Sequence, residues 1–141
     1  MKIEPQVTGN IGLYYTCYKL SCLGWNVMPT ARNARGIDII AYNKEDTKYI
    51  GIQVKTLSER IPVPLGNSLD EVMGDYWILI NDVVKEPKAF ILLPNEVRVL
   101  AHRKEKEGRV SYWLQPNAYD IDSFKEAWYR IGHGNKKGFK R

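Results

Sequence analysis

Apolar residues along this chain recur with two periods, and the periods separate helices from strands. Ile11, Tyr14, Tyr15, Tyr18 and Cys22 fall at helical spacing, and Leu13, Cys17 and Leu20 form a second stripe. Asn10 is placed to cap this helix, which runs to about Leu23 and stops at Gly24. A helix that is apolar around most of its circumference is buried, or packs on another subunit as well as on its own sheet. A homodimer through this helix is therefore one expectation. Core packing is the plainer role for its tyrosines, and stacking on bases is the other. Short apolar runs then read as strands: Trp25–Pro29, Ile37–Tyr42, Tyr49–Lys55, Tyr76–Ile80 and Ala89–Leu93. Asn43–Thr47 supplies a polar turn between the second and third. Leu57–Leu69 contains Pro62, Pro64, Gly66 and Asn67 and reads as an irregular segment able to cover a site, followed by a brief helical turn at Asp70–Asp75. Asn95 would cap a helix over Glu96–Lys106, with Val97, Leu100 and Ala101 inward and the charges outward. Ser111–Leu114 reads as an edge strand before Pro116. Asp122 would cap a last helix over Ser123–Ile131, with Phe124, Ala127, Trp128 and Ile131 on one side. The result is an α/β chain with a central mixed sheet of about five strands flanked by helices.

Composition narrows the picture. A chain of 141 residues suits one compact domain, taken as 1–135 with a basic tail at 136–141. The net charge is +5, but Lys136, Lys137, Lys140 and Arg141 carry four of those charges, so the body is close to neutral. The tail would track phosphates or simply be a solvated end. No apolar run is long enough for a membrane span, and Met1–Pro5 lacks the apolar run of a signal peptide, so a cytoplasmic location is expected. Cys17 and Cys22 are five apart and point to different sides of the first helix, which favours buried free thiols over a disulfide or metal motif. His102 and His133 are far apart, which disfavours a histidine zinc site. There are no repeats, no nucleotide-binding glycine loop, and nothing resembling a Ser or Cys triad.

Polar residues inside the strands carry the candidate chemistry. Asp38 is flanked by Ile37 and Ile39, while Gln53 and Lys55 lie two apart and share a face of their strand. A hairpin between these strands brings the three together. Burying such groups costs several kcal/mol unless they find partners. One reading is a divalent-metal site. Asp38, Gln53 and the Val54 carbonyl would hold Mg²⁺ by oxygen, and Lys55 would activate the attacking water or neutralise phosphate charge. The other is a buried Asp38–Lys55 ion pair, with Gln53 hydrogen-bonding a loop. The pattern leaves both open. Arg32 and Arg35 occupy the polar loop before Asp38, where they would contact a nucleic-acid backbone or read a base edge, and Arg60 is the one cation of the irregular segment. Gly36 would let backbone or ligand approach closely.

Gly36-Ile37-Asp38 followed by Ile52-Gln53-Val54-Lys55-Thr56 resembles the PD-(D/E)XK nuclease superfamily, in the variant with Gln before X-Lys found in Mrr-like restriction endonucleases. The helix, Gly-Trp, Gly-X-Asp and Gln-Val-Lys-Thr occur in the family's order, up to the strand near Phe90–Leu93. The resemblance implies a restriction endonuclease-like core and a Mg²⁺- or Mn²⁺-dependent endonuclease acting on DNA. Asp38, Gln53 and Lys55 would be its catalytic set, and Asp38, Gln53 and Val54 its metal ligands. Arg32, Arg35 and Arg60 would contact nucleic acid. Two departures stand out. Gln53 replaces a carboxylate, and Leu13 occupies the place where the family often carries a Glu on the first helix. DNA phosphate, or another acid such as Asp70 or Glu71, would then complete the metal shell. The alternative is a catalytically degenerate nuclease-fold module that binds nucleic acid or a protein partner.

Overall fold

The computed structural model describes residues 2–31, 36–43, 45 and 48–134. The elements run α1 (Pro5–Cys22), β1 (Asn26–Pro29), β2 (Ile39–Asn43), β3 (Lys48–Thr56), β4 (Val63–Gly66), β5 (Tyr76–Asn81) and β6 (Lys88–Leu92). After these come α2 (Pro94–Leu100), β7 (His102–Lys106), β8 (Arg109–Leu114), α3 (Pro116–Tyr119) and a 3-10 turn at Trp128–Arg130. The main sheet has five strands in the order β1-β2-β3-β5-β6. Only β3 and β5 pair in parallel; the other neighbours are antiparallel. This is the mixed five-stranded sheet that the apolar runs predict.

Strand alternation divides the core in two. Ile50 and Ile52 of β3 and Ile78 and Ile80 of β5 face a layer containing Leu20 of α1 and Trp25. Trp77, Leu79, Phe90 and Leu92 face the opposite way, onto Val63, Leu65, Val97 and Leu114. Burying each such side chain contributes about 1.5–3 kcal/mol. The second face is covered by α2 and by a separate three-stranded sheet in the order β4-β8-β7. Gln53 lies opposite Trp77 and Lys55 opposite Leu79 in the ladder, so both point toward this second layer.

Helix α1 departs from expectation at its start and in its facing. It begins at Pro5, which suits the first helical position, and Asn10 lies inside it rather than capping it. Its buried residues are Thr8, Gly12, Thr16 and Leu20, one row at i, i+4 spacing, while Tyr14 and Tyr18 are exposed. The cause is close packing on β3. A Cβ at Gly12 would lie 1.9 Å from Thr56 Oγ1 and 2.7 Å from Thr56 Cβ, so only a bare backbone fits. Thr16 donates its hydroxyl to the Gly12 carbonyl at 2.7 Å, which satisfies it inside the contact. Cys17 is half-buried but Cys22 is exposed, so the expected pair of buried thiols is only half realised.

The expected helix over Glu96–Lys106 is instead a short helix and a strand. α2 ends at Leu100, and β7 pairs with β8 over its whole length. Glu107 and Gly108 both have positive φ, 52° and 76°, which sets the tight turn between two antiparallel strands. The ladder outweighs the helical preference of the Lys/Glu run, a tertiary override of local propensity. β8 is consequently the middle strand of its sheet, not an edge. β4 lies inside the segment read as irregular; it is an edge strand, where Pro64 is tolerated opposite Trp113 at a register shift. No α-helix forms over Ser123–Ile131, only the 3-10 turn at Trp128–Arg130. The chain runs along β6 instead, with the Ile91 N–H donating to the Phe124 carbonyl and the Glu126 N–H to that of Ala89. Phe124, Ala127 and Ile131 are nevertheless buried, as the pattern required. The expected tail at 136–141 lies outside the described residues. No helix among the described residues is long and apolar enough to cross a membrane.

Candidate active site

Asp38 sits immediately before β2 and clips it to β3. Its backbone N–H donates to the Ile52 carbonyl at 2.9 Å, and its Oδ2 accepts the Val54 N–H at 2.7 Å. The side chain thus extends the ladder past the end of the strand, bracketing Gln53. Thr30 fastens the base of the preceding loop, donating its N–H to the Asp38 carbonyl and its hydroxyl to that of Ile37. Burial pushes the Asp38 carboxyl above its ordinary value, and the Val54 N–H and the Lys55 charge offset part of that rise.

Gln53 is almost fully buried at 4% exposure. Its Nε2 donates to the Glu71 carbonyl at 3.0 Å and its Oε1 accepts the Met73 N–H at 3.2 Å. The carboxamide therefore pins the 71–73 segment across β3. Asp75 extends the contact: its N–H donates to the Gly51 carbonyl at 2.7 Å and its Oδ2 accepts the Gly51 N–H at 2.8 Å. Arg98 of α2 holds the same segment from the other side through the Val72 carbonyl. Gly36, with φ +84°, allows this packing, because a Cβ there would lie 3.0 Å from Gln53 Nε2 and 3.2 Å from Met73 Sδ. The sequence carried no signal for Asp75 or Arg98 as site-forming residues, since both act through backbone groups distant in the chain.

Lys55 is half-buried and forms no ion pair among the described residues, so the alternative of an Asp38–Lys55 salt bridge does not describe this site. The other half of that alternative, Gln53 hydrogen-bonding a loop, is what is seen. Lys55 instead faces two cavities. One, of about 570 Å³, is lined by Gly36, Gln53, Lys55, Asp70, Glu71 and Trp77 among others. The Trp77 indole N–H, fully buried, has no hydrogen-bond partner among the described residues. The other, of about 440 Å³, brings Gln6, Asn10 and Leu13 of α1 against Asp38, Val54 and Lys55. Leu13 thus borders the site as the resemblance implied, and Gln6 and Asn10 are the polar residues that α1 offers there.

The other predicted residues are scattered. Arg60 is exposed and engaged, with Nε 2.7 Å from Asp120 Oδ2 and a longer bond to Asn117. Arg32 and Arg35 lie outside the described residues. Among the described residues no three His, Cys, Asp or Glu side chains group closely enough to hold a metal ion. The donors that are present suit an oxygen-preferring divalent cation. Among the described residues the second carboxylate oxygen of Asp38 accepts no hydrogen bond, in surroundings that penalise its charge, and Mg²⁺ commonly takes one or two carboxylates with water and phosphate oxygens.

Two solved structures share this architecture. A bacterial homing endonuclease superimposes with a TM-score of 0.63 at 13% identity, over 92% of this chain and 93% of its own. The Holliday junction resolvase Hjc of the archaeal hyperthermophile Archaeoglobus fulgidus superimposes with a TM-score of 0.52 at 17% identity, over 76% of this chain and 90% of its own. No known family profile matches the sequence, and no curated protein sequence does. The fold, a mixed five-stranded sheet flanked by helices, is restriction endonuclease-like and is shared with these two structures.

Proposed function

We propose that this protein is a metal-dependent endonuclease that hydrolyses DNA phosphodiester bonds, acting in the cytoplasm. The observation that supports the reading is that Asp38 and Lys55 both line one cavity, on a fold shared with a homing endonuclease and a Holliday junction resolvase. Asp38, the Gln53 carboxamide oxygen and the Val54 carbonyl would hold Mg²⁺ or Mn²⁺, which when bound would polarise the phosphate and acidify a water. Lys55 lies where it would orient that water or neutralise charge on the phosphoryl oxygens. Arg32 and Arg35, which lie between Thr30 and Asp38 in the sequence, would grip the backbone, with Arg60 as a further contact. Tyr14 and Tyr18, exposed on α1, would form the face of a homodimer; a Tyr14→Lys variant that sediments as wild type would argue against it.

The test is cleavage of a DNA duplex in Mg²⁺ by wild type and Lys55→Ala. Loss of a group acting in the transition state costs about 10²–10³ in rate. Undiminished cleavage by Lys55→Ala would overturn the assignment. A second reading has a specific observation behind it: both polar ends of Gln53 are occupied by the 71–73 segment. On that reading the chain is a nuclease-fold module that binds nucleic acid or a protein without cutting. Salt-sensitive duplex binding with no metal-dependent product would select it.

A further inference from the structure

Folding the Lys/Glu run as a strand rather than a helix sorts its charges. On a helix Arg103, Lys104, Glu105, Lys106 and Glu107 would wind around the axis and mix. On β7 they alternate between the two faces. The register pairs His102 with Trp113, Lys104 with Ser111 and Lys106 with Arg109 on one face. Arg103 pairs with Tyr112 and Glu105 with Val110 on the other. That second face is the inner one, because Tyr112 and Leu114 pack on the core beneath. Its charges are already matched, with Arg103 3.1 Å from Glu105. The outer face carries Lys104, Lys106, Arg109 and His102 beside Ser111 and Trp113, with no carboxylate at any of these ladder positions. Every residue of β7 is exposed, and Lys104, Lys106 and Arg109 form no ion pair among the described residues.

We infer that the outer face of the β7–β8 hairpin is a docking surface for the phosphate backbone of duplex DNA. Charge complementarity is the argument. Three unpaired cations sit on one side of a two-stranded ribbon, in a chain whose remaining body is near neutral. A two-stranded ribbon also has the width that the major groove admits. The hairpin belongs to the same assembly as the candidate active site: Leu65 of β4 lines the 570 Å³ cavity beside Lys55, and β7 lies two strand spacings beyond β4, about 10 Å. The inference rests on the reading that the chain acts on DNA, and adds the surface that holds the duplex away from the cleavage point.

The experiment measures binding of a fluorescent DNA duplex in EDTA across a salt series. It compares wild type, Lys104→Gln/Lys106→Gln/Arg109→Gln, and a charge-matched control, Lys2→Gln/Lys85→Gln/Lys125→Gln, whose three lysines are also exposed. Each phosphate contact contributes a slope of about −0.9 to the dependence of log affinity on log salt. The hairpin variant is expected to bind more weakly, with a slope shallower by about 2.7, while the control changes far less. Equal losses in the two variants would overturn the hairpin assignment and leave the nuclease reading standing. A wild type that binds with the hairpin-dependent slope yet never cleaves in Mg²⁺ would remove the nuclease reading and keep the hairpin. Absence of duplex binding by wild type even at low salt would overturn both. Unchanged thermal unfolding of the hairpin variant confirms that the loss is not one of folding.

Discussion

Gln53→Glu separates what Gln53 does for the fold from what it would do for a cation. In the wild type the carboxamide donates to the Glu71 carbonyl at 3.0 Å and accepts from the Met73 N–H at 3.2 Å, at a position only 4% exposed. The substitution keeps the acceptor and replaces the donor by a second oxygen. At pH 7.5 an ionised carboxylate then faces a carbonyl oxygen that has lost its partner. An orphaned buried acceptor costs about 1–3 kcal/mol, and burying the charge adds to it, so a loss of about 2–4 kcal/mol is expected. In urea that moves the unfolding midpoint down by about 1–2 M. Acid should reverse the effect. The introduced carboxyl is held protonated in the folded chain above its unfolded pKa of about 4.3, because a protonated group can donate to the Glu71 carbonyl again. The folded state then binds more protons than the unfolded one, so the deficit against wild type shrinks as pH falls toward 4.3. Mg²⁺ should narrow the deficit at pH 7.5 more than it shifts wild type, since the variant offers a cation two carboxylates rather than one. The assay is urea unfolding by tryptophan fluorescence at pH 7.5 and 4.5, in EDTA and in Mg²⁺. An unchanged midpoint at pH 7.5 in EDTA would refute the claim that Gln53 holds the 71–73 segment in place.

Two further outcomes follow from contacts around the site. Gly12→Ala should destabilise the protein by about 1–3 kcal/mol, because its Cβ would collide with Thr56 on β3. Thr56→Gly should recover part of that in a double-mutant cycle of thermal unfolding and Thr56→Ala less, since the Thr56 Cβ itself lies 2.7 Å from the added atom; strict additivity with Thr56→Gly would sink the packing argument. At Glu96, burial alone would raise the carboxyl, but bonds of 2.9 Å from both ends of the Arg130 guanidinium and one of 2.7 Å from the Leu93 N–H hold it below its ordinary value. Its stabilisation is therefore complete above the unfolded pKa of about 4.3 and lost as pH falls through the lower folded one. Glu96→Gln should cost about 1–2 kcal/mol at pH 7, tempered by partial exposure of the pair, and little at the acid end of a pH series; a deficit independent of pH would argue against this account.

The five strands of the main sheet were legible because each is a short apolar run punctuated by Gly, Pro, Asn or other polar turn residues, and for β5 and β6 burial on both faces makes that run nearly continuous. Asp38, Gln53 and Lys55 were legible as a cluster for the opposite reason: polar groups inside such runs are costly enough to need an explanation. The misreadings came where tertiary pairing decides. His102–Lys106 carries helix-favouring Lys and Glu, and only the ladder to Arg109–Leu114 makes it a strand. Phe124–Ile131 keeps its buried positions, but its backbone bonds go to β6, a partner that no local pattern reveals. On α1 the tyrosine stripe looked like the core face, whereas the small row Thr8–Gly12–Thr16 is buried because the helix backbone lies against Thr56. Size complementarity, not hydrophobicity, chose that face, and size complementarity needs both surfaces to be seen.

One rule of strand geometry underlies both the candidate site and the proposed docking face. Along β3, successive side chains alternate between Ile50 and Ile52, which build the core under α1, and Gln53 and Lys55, which reach toward the cavity on the other side. Asp38 stabilises that arrangement by taking up the Val54 N–H, so the residue proposed to hold a cation is also the one that fixes the strand presenting Lys55. Along β7, the same alternation sets Arg103 and Glu105 on the face shared with Tyr112, as an exposed matched pair, and leaves Lys104 and Lys106 on the opposite face beside Arg109. A mixed-charge sequence thereby acquires a face of one sign without any change in net charge. The two surfaces differ in what depends on them. Weakening the hairpin leaves Asp38, Gln53 and their hydrogen bonds untouched, so its loss is read in affinity and salt slope. Disturbing Asp38 or Gln53 removes partners from buried backbone groups, so stability falls together with any activity.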